Sequence, residues 1–315
     1  MAKPGILVGI SDIKEINPLI KEGATEFYTG LCLSEKIRFP NFRNDNETGN
    51  LKNTQELKKT ATLCHKHKKK LYLAVNLPIY QPNLHKNIAQ TLIELLDTSV
   101  DGFIIVDFYL MYELSKQLSQ AKRETKIHLS SLASCYNKMT LNFYKQFGVS
   151  RILFPQHLYS HEASDFFDDP DIETEIFYHT CINCRYISGR CNIGRSALYP
   201  ERKIIKYFPC FYKFNILNWP DVKDIEGIYS RWVTVTVNGY SNFYDSVKKG
   251  ITSIKLGSRG MPLSTKILLL IGAKRAIELV YKAKDKKSFL EEVENDTKIR
   301  KDDFYLRSGK VFRYY

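Results

Sequence analysis

Residues 102–131 read GFIIVDFYLMYELSKQLSQAKRETKIHLSS. An apolar run of strand length, Gly102–Asp107, gives way to helical spacing of apolar residues over Phe108–Gln120. A second strand, Lys126–Ser131, follows. Strand, helix and strand within so few residues is the repeating unit of a parallel sheet, because a crossover must return the chain to the same end.

The alternation continues in both directions. Upstream, strands are predicted at Gly5–Ile10, Glu26–Cys32 and Leu71–Asn76, with helices over Asp12–Lys21, Asn53–His67 and Asn87–Leu96. Downstream, strands are predicted at Arg151–Pro155, Glu173–His179 and Thr252–Leu256. Helices are expected over Lys138–Phe147, near Ala163, and over Ser241–Lys249 and Pro262–Ala283. Arg38–Asn53 is polar and turn-rich and reads as a loop, and Trp232–Val237 alternates like an accessory strand. Eight strands separated by helices make an α/β chain, a (β/α)8 TIM-like barrel with a cysteine-rich insertion after strand 7. A doubly wound open sheet is the alternative. The expected organisation is a barrel over residues 1–283, including the insertion at 180–240, and a charged tail over 284–315 that packs on it and ends in a short hairpin.

A chain of 315 residues with 43% hydrophobic content can bury a sizeable core. No apolar run reaches the roughly 18 residues of a membrane span. MAKPGILVGI lacks the features of a signal peptide, so a cytoplasmic, thiol-reducing location is expected. The net charge of +13 has two readings. One is a polyanionic partner such as RNA. The other is a composition rich in Lys, Asn, Ile and Tyr, with its lysines solvated at helix ends.

A barrel carries its site at the C-terminal ends of its strands. Cys32, Asn76, Asp107, Ser130, His179 and Lys255 fall there. The stretch after strand 7 leaves from the same face as EIFYHTCINCRYISGRCNIGRS, and Cys181, Cys184, Cys191 and Cys210 cluster in or just beyond it. A CxxC with two more cysteines within about 30 residues is a metal signal in a reducing compartment. Thiolates suit either zinc or an iron–sulfur cluster, and spacing alone leaves both open. Arg185, Arg190 and Arg195 would offset thiolate charge. Cys64 and Cys135 read as packed thiols, and Cys32 as a rival ligand across the barrel mouth.

These residues resemble a known family, the proteins catalogued as peptidase family U32. The family's Glu-x-Phe-x-His segment and following cysteines match Glu175, Phe177, His179, Cys184 and Ser188-Gly189-Arg190-Cys191, with Tyr186 one place early. VDGFIIVD, ending at Asp107, is similar to the family's fourth strand. IHLSSLASCYN keeps Ser130 and Asn137 of the next segment. GVSRILFPQHL has Gln156 where arginine is usual, and GITSIKLGSRG keeps Lys255 and Arg259 but has Gly257 where glutamate is usual.

The resemblance implies an iron–sulfur protein rather than a hydrolase. Family members support oxygen-independent hydroxylation, either of a quinone precursor as a heterodimeric pair or of RNA bases. It implies a [4Fe–4S] cluster on Cys184, Cys191 and Cys210, with Cys181 or Cys32 as the fourth ligand; one branch uses a later cysteine, and this chain has none after Cys210. Asn76, Asp107, Ser130, Asn137 and His179 would line the pocket, and Lys255 and Arg259 would hold an anionic group. The RNA-modifying members tend to be longer, so this length points to a short type that works with a U32-type partner. Three functions follow: a hydroxylase or its subunit acting on a small aromatic molecule or RNA base, a peptidase, or a non-catalytic partner with a structural metal. The peptidase reading is weakest, since there is no HExxH, no GxSxG and no Cys–His pair outside the cysteine cluster.

Overall fold

The computed structural model describes residues 2–31, 49–77, 80–155, 158–178 and 237–299. Its core is a closed parallel barrel. In chain order the strands are β1 (Gly5–Gly9), β2 (Glu26–Leu31), β3 (Asn50–Leu51), β4 (Lys70–Val75), β5 (Gly102–Ile105), β6 (Lys126–Leu129), β7 (Val149–Leu153), β8 (Glu173–Phe177) and β9 (Ser253–Leu256). The sheet order is β1-β9-β8-β7-β6-β5-β4-β2-β3, and β1 also pairs with β2, which closes eight strands into a ring. β3 stands outside the ring, pairing Gly30 with Asn50 and Leu31 with Leu51. The expected loop over 38–53 therefore ends in a short strand, seated because Leu51 is buried.

The helices are α1 (Ile16–Glu22), α2 (Thr54–Lys66), α3 (His85–Leu95), α4 (Phe108–Ala121), α5 (Lys138–Lys145), α6 (Ser164–Phe167), α7 (Val237–Lys248), α8 (Leu263–Lys282) and α9 (Lys286–Asn295). Several begin at side-chain caps legible in the sequence. Asn53 accepts from the Glu56 amide at 2.9 Å, while the Glu56 carboxylate accepts from the Lys52 amide at 2.8 Å. The first bond satisfies an amide that the first helical turn leaves open, and the second ties down the residue before the cap. α7 begins at Val237, so Val237 is helical rather than the end of an accessory strand; residues 232–236 lie outside the described residues. In the expected tail, α9 packs Phe289 and Val293 inward, with Phe289 against Tyr244 at 5.3 Å between ring centroids. The expected hairpin after it also lies outside the described residues.

Alternation along each strand sorts side chains into two cores. Ile6, Val8, Phe27, Leu71, Leu73 and Phe103 point outward and pack under the helices. Leu7, Tyr28, Tyr72, Ala74 and Ile104 form a separate apolar cluster inside the ring. This geometry demands glycine at position 102, where a Cβ would lie 2.3 Å from the Lys126 carbonyl oxygen, too close for any side chain. No described helix is long and apolar enough to cross a membrane.

Candidate functional site

The barrel interior carries charge as well as apolar side chains. Arg151, on β7, has a side chain only 3% exposed. It donates to Glu26 at 2.6 and 3.0 Å, to Glu173 at 2.7 Å and to Glu175 at 3.2 Å. In the ring order β2 is four strands from β7 in either direction, so the Arg151–Glu26 pair spans the whole interior. Lys126 bonds Glu173 at 3.1 Å, and the Tyr72 hydroxyl donates to Glu26 at 3.1 Å. Three carboxylates (Glu26, Glu173, Glu175) thus face three cations (Arg151, Lys126, Lys255). Such balance is what makes buried charge tolerable.

Electrostatics follow from that packing. Burial alone would lower the Arg151 pKa, but hydrogen bonds and charge from Glu26, Glu175 and Glu173 outweigh it and raise it. Burial pushes Glu173 up, yet Arg151 and Lys126 hold its carboxyl below the usual range. His128, on β6, is buried beside Tyr72 at 4.1 Å between ring centroids. Neither of its nitrogens has a hydrogen-bond partner among the described residues. Burial, then the charges of Arg151 and Lys255, keep its pKa well below the ordinary histidine value, so it is a neutral imidazole.

Above this layer is the mouth, at the C-terminal ends of the strands. Lys255, the third residue of β9, sits 3.4 Å from Glu175 and 4.3 Å over the Tyr28 ring. Its pKa is lowered chiefly by burial, with Arg151 and Arg259 adding to the effect and Glu175 opposing it. Arg259, just past β9, is buried, and its backbone lies so close to Gly9 that a Cβ there would meet the Arg259 amide at 2.6 Å. Ser258 ties the same turn to β1 by accepting from the Gly9 amide at 3.1 Å. Asn76 follows β4 and is half-buried at the rim.

The other expected site residues have local duties. Ser130 caps a short turn of helix, accepting from the Leu132 amide at 3.4 Å. Asn137 caps α5, taking the Thr140 amide at 2.9 Å and hydroxyl at 3.0 Å, and is exposed. Asp107 caps α4 through the Leu110 amide at 2.9 Å. It also lies 3.4 Å from a ring nitrogen of buried His85, too poorly aligned for a hydrogen bond. Asp107 therefore stands between α3 and α4, and Asn137 on the rim, whereas Lys255 and Arg259 are gathered at the mouth. Cys32, His179, Cys181, Cys184, Cys191 and Cys210 lie outside the described residues. The described chain stops at Leu31, directly before Cys32, and at Tyr178, directly before His179, in both cases at the mouth end of a strand.

Reading the sequence missed Glu26, Tyr72, His128, Arg151 and Glu173. A signal was present: Glu173 and Glu175 alternate along β8, and Arg151 stands in the middle of β7. With the outer face under helices, such residues have to point inward. Cys64 and Cys135 are buried, and burial pushes both thiols up to about 12, so neither is an activated nucleophile.

Comparison with known proteins agrees with this architecture. The chain is 29% identical over 191 residues to tRNA hydroxylation protein P of Haemophilus influenzae, a match covering 60% of this chain and 38% of that protein. It is 24% identical over 199 residues to tRNA hydroxylation protein P2 of Bacillus subtilis, covering 62% of this chain and 58% of the relative. The matched region thus spans less than two thirds of each of these relatives. Among solved structures, a Pseudomonas aeruginosa protein assigned as a dihydrodipicolinate synthetase superposes with a TM-score of 0.50 at 7% identity, over 97% of this chain and 85% of that one. That likeness concerns the fold alone. The family model described as Peptidase family U32 matches residues 11–308, nearly the whole chain, and the chain belongs to that family.

Proposed function

We propose that the chain carries an iron–sulfur cluster and takes part in oxygen-independent hydroxylation of a base in RNA. The observation that carries this reading is the similarity to tRNA hydroxylation proteins, over 60% and 62% of the chain. The net charge of +13 suits a polyanionic substrate.

Cys184, Cys191 and Cys210 would hold the cluster, with Cys181 or Cys32 completing the set. Five soft thiols are a donor set suited to iron and sulfide. Among the described residues, no group of three or more His, Cys, Asp or Glu could hold a metal ion. The bound cluster would supply electron transfer at the mouth. The chain's own residues would bind and orient the substrate. Arg259 and Lys255 raise the positive potential there and favour an anionic group. Lys255 keeps Glu175 paired, so that carboxylate does not repel the substrate. Neutral His128 and the tyrosines beneath exclude water from the floor.

Iron and sulfide analysis after anaerobic purification, on wild type, Cys181→Ala and Cys32→Ala, tests the cluster. Four irons per chain in wild type, and loss in one of the two variants, is the expected result. A colourless protein holding only zinc overturns it. Mass spectrometry of tRNA nucleosides from cells with and without the gene tests the substrate, where loss of a hydroxylated nucleoside is expected. Repeating the reaction with and without a second family member tests the need for a partner.

A further inference from the structure

Large apolar side chains with high exposure are concentrated in one place among the described residues. Phe108 (53% exposed), Tyr109, Tyr112, Tyr136, Met139 (84% exposed) and Phe143 all belong to α4, α5 or the loop between β6 and α5. Monomeric surfaces usually scatter such residues singly, and a contiguous patch marks a contact surface. The rings here form a connected strip. Phe108 meets Phe143 across the two helices at 6.1 Å, Phe143 meets Phe147 at 5.1 Å, and Phe147 meets Tyr112 at 6.3 Å. Tyr112 stacks with Tyr109 at 6.0 Å and 13° between planes.

Position and charge narrow the occupant. α4 follows β5 and α5 comes after β6, so both helices begin at the mouth end of the barrel, where Asp107 and Asn137 cap them. The strip therefore starts beside the mouth. α4 contains one carboxylate, Glu113, which is buried, and α5 contains none. Lys116 and Lys138 are exposed on the same two helices. A second copy of this face would bring lysine against lysine. Flat rings interleaved with lysine suit unpaired bases linked by phosphates.

We propose that the α4–α5 face is a docking platform for single-stranded RNA, its rings stacking on bases and Lys116 and Lys138 meeting phosphates. The proposal rests on the reading that the substrate is RNA. A base brought to the barrel mouth must leave its own stack, and its neighbours then need a surface to stack on. This strip offers one.

Fluorescence anisotropy with unmodified tRNA and with a single-stranded oligonucleotide tests it, using the full chain purified anaerobically. Tyr112→Ala/Phe143→Ala should weaken binding at least tenfold. Lys116→Glu/Lys138→Glu leaves the packing untouched, so it should melt as wild type does. It should bind RNA more weakly, with a shallower dependence on salt. Unchanged RNA affinity in both double variants overturns the platform and leaves the RNA reading intact. Absence of RNA binding by the wild type overturns both. A change of oligomeric state in the aromatic variant, without loss of RNA affinity, assigns the face to a protein contact and overturns the proposal.

Discussion

Removing Arg151 tests the charge layer of the barrel most directly. Arg151→Met keeps much of the side chain's volume and deletes its charge. In the wild type, three carboxylates face three cations, and Arg151 bonds all three carboxylates, Glu26, Glu173 and Glu175. The variant leaves one buried negative charge without a counterpart. Breaking a buried pair in this way costs about 3–5 kcal/mol. At about 2 °C per kcal/mol for a chain of this size, the midpoint of thermal unfolding should fall by roughly 6–10 °C. The loss should also depend on pH. The Glu173 carboxyl is held below its usual range when folded, so the stability it contributes is present above the unfolded value of about 4.3 and fades as pH falls through the folded value. Without Arg151, burial of the Glu173 carboxyl loses its chief opponent, so that carboxyl rises. The penalty should then be largest near pH 8 and shrink toward pH 5, as the stranded Glu173 carboxyl takes up protons. Arg151→Lys keeps the charge but not the planar fork, and should fall between the two. Denaturant unfolding followed by circular dichroism at both pH values measures this. A loss under about 1 kcal/mol, the value of an exposed pair, or a loss that ignores pH, would refute the argument.

Three further outcomes follow from the same geometry. His128 should remain neutral from pH 8 to pH 5, while in the unfolded chain it takes a proton below about 6.5. Folded stability should therefore fall on acidification by up to about 1.4 kcal/mol per pH unit from this group, and His128→Phe should remove that dependence. A His128 ring signal that titrates near 6.5 by NMR contradicts this. Gly102→Ala forces a methyl against the Lys126 carbonyl and should cost about 1–3 kcal/mol, whereas an unchanged melting curve would show the strands can part there. Asn137→Ala should cost about 1 kcal/mol as a lost helix cap, and Asn137→Asp should recover it. Activity that Asn137→Asp fails to restore, despite normal melting, would give Asn137 a role at the substrate.

Much of the barrel was legible because its strands are short apolar runs and its helices carry their caps in the sequence. GFIIVD, its helix and KIHLSS appear in the structure as β5, α4 and β6, with Asp107 as the cap. The short β3 was not legible, since two residues carry no period. For the candidate site, chemistry and placement separated. Asp107 and Asn137 are polar residues after strands, as expected of a site, yet each is spent on a helix terminus. Lys255 was expected to hold an anion, and it also neutralises Glu175.

Local order was set by the sequence alone: strand and helix identity depend on neighbours within a turn or two, and the cysteine spacing and the +13 charge are properties of the chain itself. Partners across the ring were decided only by closure. Arg151 and Glu26 are 125 residues apart and on opposite walls, and no local pattern encodes their meeting. They meet because alternate residues of a closed parallel barrel must point into an interior filled by side chains, where a buried charge has to find its opposite.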